Sequence, residues 1–264
     1  MFTSLRLAFA MFTRIPMGKP EWNERAQRYI LCFYPLVGIV VGAITAAWFW
    51  LATDIALPNT LRALGLTLIP LAVTGGIHLD GLADTCDALA SNAEPERRRA
   101  ILKDPHAGAF AVIGVVVYLL SYFALTLTLT QLPVGGLPVA IYVGLSHVFS
   151  RSGVAATMVL AKPSGEGLGM SFHDSASRAT APIMVAVAVI AVAGAVVLSA
   201  GNIVLAAAIL MPLLVSAIVH TFAILTAHRK FGGYSGDLAG YQLCLAEIAY
   251  LATLVLLFAT LFGR

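Results

Sequence analysis

Seven stretches of this chain, at about 30–51, 61–78, 108–130, 137–160, 180–200, 203–226 and 240–262, are apolar over a length that suits a lipid bilayer. A spanning helix needs about 20 predominantly apolar residues, and inside lipid the backbone must satisfy its own polar groups. The expected fold is therefore all-α: a polytopic membrane helix bundle of about seven transmembrane helices, forming a single integral membrane domain over residues 1–264. Charged residues make up only 11% of the chain, against about 25% in soluble domains, which excludes a globular soluble protein. A net charge of +3 is too small to argue for nucleic acid. Cys32, Cys86 and Cys244 are odd in number and widely spaced, so they form neither a zinc pattern nor a disulfide framework. The second stretch is short, and Gly75-Gly76 near its end permits a break. Residues 3–14 are apolar but interrupted by Arg6 and Arg14. They lack the order of a signal peptide and read as a short interfacial or re-entrant helix.

Basic residues orient the bundle, because cytoplasmic loops accumulate Lys and Arg. Arg6, Arg14, Lys19, Arg25 and Arg28 precede the first span; Arg97, Arg98, Arg99 and Lys103 follow the second. Lys162 and Arg178 follow the fourth, and Arg229 and Lys230 the sixth. Only Arg62 and Arg264 fall opposite, and Arg151 lies at the edge of the fourth span. The N-terminus is expected in the cytoplasm. Most acids share that side, with Asp54 alone outside, so the chemistry is one-sided.

Within that frame one acid row stands out. Gly75-Gly76-Ile77-His78-Leu79-Asp80-Gly81-Leu82-Ala83-Asp84-Thr85-Cys86-Asp87 places carboxylates at i, i+4 and i+7. Those positions share one helical face. Acids beside a hydrophobic span are costly unless they bind something positive. Mg²⁺ takes hard oxygen ligands and commonly bridges carboxylates to substrate phosphates. Asp80, Asp84 and Asp87 are thus candidate metal ligands; the plainer alternative is a solvated polar helix end. His78 leaves the acid face and reads as a hydrogen-bonding neighbour or substrate contact.

Three further groups carry candidate chemistry. Lys103-Asp104-Pro105-His106 offers a phosphate-binding cation, a ligand or base, and an imidazole. Ser146-His147-Val148-Phe149-Ser150-Arg151 places a cation in or beside a span, either to clamp phosphate or to snorkel. Asp237 opens the last span, and Glu247 lies ten residues deeper, where an acid should face the bundle interior. The glycine-rich stretch 162–173 is a weaker signal, since glycine in a loop is common.

Together with Phe12-Thr13-Arg14-Ile15-Pro16, Tyr34-Pro35-Leu36-Val37-Gly38, Leu102 to Phe110 and Gly236-Asp237-Leu238-Ala239-Gly240, the acid row closely resembles the cobalamin synthase family, the adenosylcobinamide-GDP ribazoletransferases. The resemblance covers most of the chain. It implies an Mg²⁺-dependent enzyme of the bacterial inner membrane, acting on its cytoplasmic side. Such an enzyme joins adenosylcobinamide-GDP to α-ribazole or its 5′-phosphate and releases GMP. Asp84, Lys103, Asp104 and His106 are then the expected catalytic residues, and Arg14, His78, Arg151, Asp237 and Glu247 the expected substrate contacts. A homo-oligomer is compatible with the sequence. The acid row is also similar to that of CDP-alcohol phosphotransferases, although Thr85-Cys86 after Asp84 departs from their fuller aspartate pattern. The rival class is a cation- or proton-coupled transporter using Glu247 and Arg151. It would need acids on a path to the outer face, where the sequence has almost none.

Overall fold

The computed structural model describes residues 1–132, 137–165, 172, 180–198 and 203–262. Among them the regular elements are helices: α1 Phe2–Phe12, α2 Glu24–Gln27, α3 Tyr34–Asp54, α4 Asn59–Thr74, α5 Ile77–Ala90, α6 Pro95–Ile101, α7 Ala109–Gln131, α8 Leu137–Leu160, α9 Thr180–Leu198, α10 Ile203–Phe231 and α11 Gly236–Phe262. Each of the seven apolar stretches coincides with one of α3, α4 and α7–α11. Among the described residues, Glu24–Asp54, Ala109–Gln131, Ile209–Phe231 and Gly236–Leu261 are long and apolar enough to cross a membrane. A fifth crossing is added if α4 and α5 are taken as one broken span. The protein is a multi-pass membrane protein.

The stretch expected as a span over 61–78 is not continuous. α4 stops at Thr74, and the chain bends by 94° into α5. Gly75 and Gly76 both adopt left-handed backbone, at φ 69° and 77°, a conformation that costs other residues about 1–2 kcal/mol. Gly75 closes α4 by donating its N–H to the Leu71 carbonyl, the usual role of a glycine just past a helix end. Two left-handed residues in succession turn the chain out of the bundle axis.

α5 therefore runs across the starts of α7 and α11 and not along the bundle axis. Gly81 lies against the backbone of Asp237 at the start of α11, where a Cβ would come within 2.5 Å of the Asp237 carbonyl oxygen. Asp87 lies against the start of α7, accepting the backbone N–H groups of Gly108 at 2.5 Å and Ala111 at 2.9 Å. The side chain thus serves as the N-terminal cap that Gly108 lacks. The expected Asp87→Ala outcome is a loss of about 1 kcal/mol, read as a lower thermal midpoint in detergent with helix content kept.

α11 is the central helix and packs against α5, α7, α8 and α10. α3 and α8 meet through glycines, Gly42 against the Gly144 backbone and Gly38 against His147. Small residues spaced four apart let membrane helices approach closely. Buried apolar side chains form two clusters. One gathers α1, the start of α3, the end of α8 and the start of α11; the other gathers the opposite halves of those bundle helices. Arg98 and Arg99 of α6 reach the last carbonyls of α10, Lys230 at 3.2 Å and Phe231 at 2.7 Å. The arginine run is thus a helix C-terminal cap as well as a topology signal.

Candidate functional site

The bend opens a cleft of about 610 Å³. Its floor is Thr74, Gly75 and Gly76, one wall is Ile77, Leu79, Asp80 and Ala83 of α5, and the other is Met11, Thr13 and Arg14. α1 ends there because Thr13 turns extended and returns its hydroxyl to the Phe9 carbonyl at 2.6 Å. The Arg14 N–H then bonds the Val73 carbonyl at 2.7 Å, tying the N-terminal segment to the end of α4. The Arg14 side chain lies across Gly75, whose absent Cβ would meet Nε at 2.2 Å. One exposed cation, Arg14, and one exposed carboxylate, Asp80, therefore line the same cleft.

The acid row lies on α5 as its spacing requires. Burial pushes the Asp84 carboxyl up to about 6, and repulsion from Asp80, Asp237 and Asp87 adds to the shift in that order. Asp80, Asp237 and Asp87 are thus close enough to Asp84 to disfavour its ionisation. Such an arrangement is relieved by a cation. Among the described residues no three His, Cys, Asp or Glu side chains are gathered as a closed metal cage. Mg²⁺ is commonly held by one or two carboxylates together with substrate phosphates and water. Asp80 and Asp84 fit that role. Asp87 has both oxygens on the α7 amides, which leaves it with less free donor capacity.

Lys103, Asp104 and His106 are exposed on the segment before α7. One Asp104 oxygen accepts the His106 N–H at 3.0 Å and lies 2.8 Å from its Nδ1. The backbone bond, then the ring bond, holds the Asp104 carboxyl below its ordinary range. An ionised carboxylate on Nδ1 favours the tautomer with Nε2 free to accept a proton.

The other candidates lie elsewhere. His78 is buried and hydrogen-bonded through Nε2 to the Tyr34 hydroxyl at 2.7 Å, while its α5 neighbours Ile77, Leu79 and Asp80 line the cleft. Arg151 and Glu247 are joined to each other at 2.6 Å, with side chains 1% and 3% exposed. The same Glu247 oxygen takes His147 Nδ1 at 2.8 Å and the Ser150 hydroxyl at 3.2 Å; the other takes the Tyr118 hydroxyl at 3.3 Å. Asp237 is half-buried where α11 meets α5. Glu166, His173, Asp174 and Arg178, and the glycine-rich stretch beyond Gly165 apart from Phe172, lie outside the described residues. Tyr118 and the capping role of Asp87 escaped the sequence reading. A tyrosine within an apolar span carries no local signal, and the cap joins residues more than twenty positions apart.

A multi-pass helical bundle with a broken span and carboxylates beside a cleft defines a polytopic membrane protein with a candidate enzyme site. The Cobalamin-5-phosphate synthase family matches residues 4–255, and the chain belongs to that family. Among its relatives, the adenosylcobinamide-GDP ribazoletransferase of Lachnoclostridium phytofermentans is 37% identical over 258 residues, covering 93% of this chain and 90% of the relative. The proteins of that name from Desulfitobacterium hafniense and Treponema denticola are 33% and 30% identical, each covering 94% of this chain and 94% and 95% of the relative. No solved structure matches the chain.

Proposed function

We propose that the cleft beneath the bend joins adenosylcobinamide-GDP to α-ribazole or α-ribazole 5′-phosphate, forming the cobalamin nucleotide loop and releasing GMP. Family membership supports the activity. The observation that supports this cleft is the acid row on α5, whose Asp80 lines it opposite Arg14 and lies close enough to Asp84 to disfavour its ionisation.

Asp80 and Asp84 hold Mg²⁺ in this reading, with Asp237 beside them. The ion would supply charge neutralisation on the substrate diphosphate. Arg14 and Lys103 contribute cations to the same diphosphate. His106, oriented by Asp104, accepts the proton of the attacking ribose hydroxyl through Nε2. The new O–P bond forms on the cobinamide side, the P–O bond to GMP breaks, and GMP carries away the charge. Arg151 and Glu247 are paired with each other inside the bundle, away from the cleft. A coupled transporter would need those two charges exchangeable. The positive-residue bias supports a cleft on the cytoplasmic side of the bacterial inner membrane.

The test is GMP release by lipid-reconstituted protein supplied with adenosylcobinamide-GDP and α-ribazole. Release is expected with Mg²⁺ and is expected to stop with EDTA, returning when Mg²⁺ is added back. Substrate flux into sealed vesicles without GMP would overturn the reading.

A further inference from the structure

Glu247 enters α11 by eleven residues, about 16 Å along the helix at 1.5 Å per residue. On α8 the upper apolar cluster ends at Phe149 and the lower begins at Val154; on α11 they meet between Tyr250 and Leu243. The Arg151–Glu247 pair therefore fills a polar layer between two apolar cores. That layer is incompletely satisfied: Arg151 Nε and His147 Nε2 are buried without a hydrogen-bond partner among the described residues. A small cavity of about 20 Å³ adjoins it, lined by Thr74, His78, Tyr118, Arg151, Cys244 and Glu247. One water needs about 10–15 Å³ by this measure and two to four polar partners. The cavity meets both conditions, and it reaches from the mid-bundle ion pair to the first turn of α5.

We propose that this cavity holds one structural water bridging the Arg151–Glu247 pair to His78, which makes His78 and Tyr34 positioning residues that set how α5 presents Asp80 to the cleft. The claim rests on the reading of Asp80 as part of the cleft site. His78 is held on one side by Tyr34 from α3 and faces the cavity on the other. Asp80 follows two residues later, on the opposite face of the same turn. α5 begins at two left-handed glycines, so no side chain in the turn itself fixes the direction in which the helix leaves it. A rigid polar anchor beneath it supplies what the glycines take away. His78 touches no substrate in this arrangement; it acts through the helix.

The test uses the Arg151→Met/Glu247→Met double variant in lipid. Removing both charges avoids leaving one unpaired, and apolar replacements of buried ion pairs commonly fold. Deuterium exchange at the amides of residues 77–81 should quicken about tenfold or more, with the second half of α11 unchanged. The kcat for GMP release should fall about tenfold while KM for adenosylcobinamide-GDP stays within about twofold. Tyr34→Phe, which deletes one hydroxyl, should move both readouts in the same direction by less. It keeps the test decisive if the double variant does not fold. Unchanged exchange at 77–81 in folded protein overturns the bridge. Fast exchange in the double variant together with an active Asp80→Asn protein would support the bridge and remove only the cleft assignment.

Discussion

Asp84→Asn is expected to fold, to bind detergent as the parent does, and to release GMP roughly 10²–10⁴-fold more slowly. The scale follows from losing several kcal/mol of metal-borne charge stabilisation, at about 1.4 kcal/mol per factor of ten. Asp80→Asn should behave alike. A second signature separates this from a general loss of packing. The Asp84 carboxyl titrates near 6 in the folded chain instead of 3.8. A carboxyl raised by folding stabilises the fold below its unfolded value and loses that contribution as pH rises through the folded one. The metal-free protein should therefore become less stable between about pH 4 and 6 through this group. Asp84→Asn should flatten that slope and leave the midpoint at pH 8 no lower than the parent's. A metal ion competes with the same proton, so the Mg²⁺ concentration giving half-maximal activity should rise as pH falls through 6. Thermal scans in EDTA and Mg²⁺ titrations at several pH values read both effects. An Asp84→Asn protein with near-parental GMP release would remove the metal assignment.

Keeping reactive carboxylates at a bilayer surface requires a way to leave the bundle without exposing backbone to lipid. Here the chain ends α4 on a glycine, turns through 94° and lays α5 over the first turns of α7 and α11. Asp87 and Gly81 fasten α5 to those ends by different means, one by hydrogen bonds and the other by close backbone approach. The acid row is thus held at Gly81 and Asp87, with Asp84 between those points and Asp80 just before the first. In the proposed reading the substrate diphosphate is met in the cleft between the N-terminal helix and the bend.

Local patterns in the sequence carried much of this. Apolar run length located α3, α4 and α7–α11, and a spacing of four and three put the acids on one face of α5. Gly75-Gly76 could be read as a break because glycine alone tolerates left-handed backbone cheaply. What needed the structure was pairing across distance. Glu247 signals burial by its depth in an apolar helix, but nothing local says that its partner is Arg151, three helices earlier. Asp87 has the same chemistry as Asp84 in sequence, and only the approach of α7 makes one a cap and leaves the other in a carboxylate cluster. Arg98 and Arg99 read as topology determinants, and their bonds to α10 appear only when α6 is docked. His78 likewise acquired its direction from Tyr34, a residue contributed by α3.

The two glycines of the bend should respond unequally to the same substitution. At Gly76 an added Cβ meets nothing within 4 Å, so Gly76→Ala should cost only the left-handed backbone, about 1–2 kcal/mol. At Gly75 the φ is similar, 69°, but the Cβ would fall 2.2 Å from Arg14 Nε and 2.9 Å from its Cδ and Cγ. Arg14 must then leave its place across the bend, and with it the cation that faces Asp80. Gly75→Ala is expected to lose the same 1–2 kcal/mol and, in addition, to raise KM for adenosylcobinamide-GDP by about tenfold, the scale of one charge-assisted hydrogen bond. Arg14→Ala alone should raise KM as much without the thermal loss, since the side chain is exposed. Combining Gly75→Ala with Arg14→Ala should add no further kinetic penalty, because both changes remove the same contact. Full additivity of the KM effects would show that Gly75 acts on the cleft by some route other than Arg14. Equal kinetic effects at Gly75 and Gly76 would show that the bend itself, not the arginine lying over it, governs substrate binding.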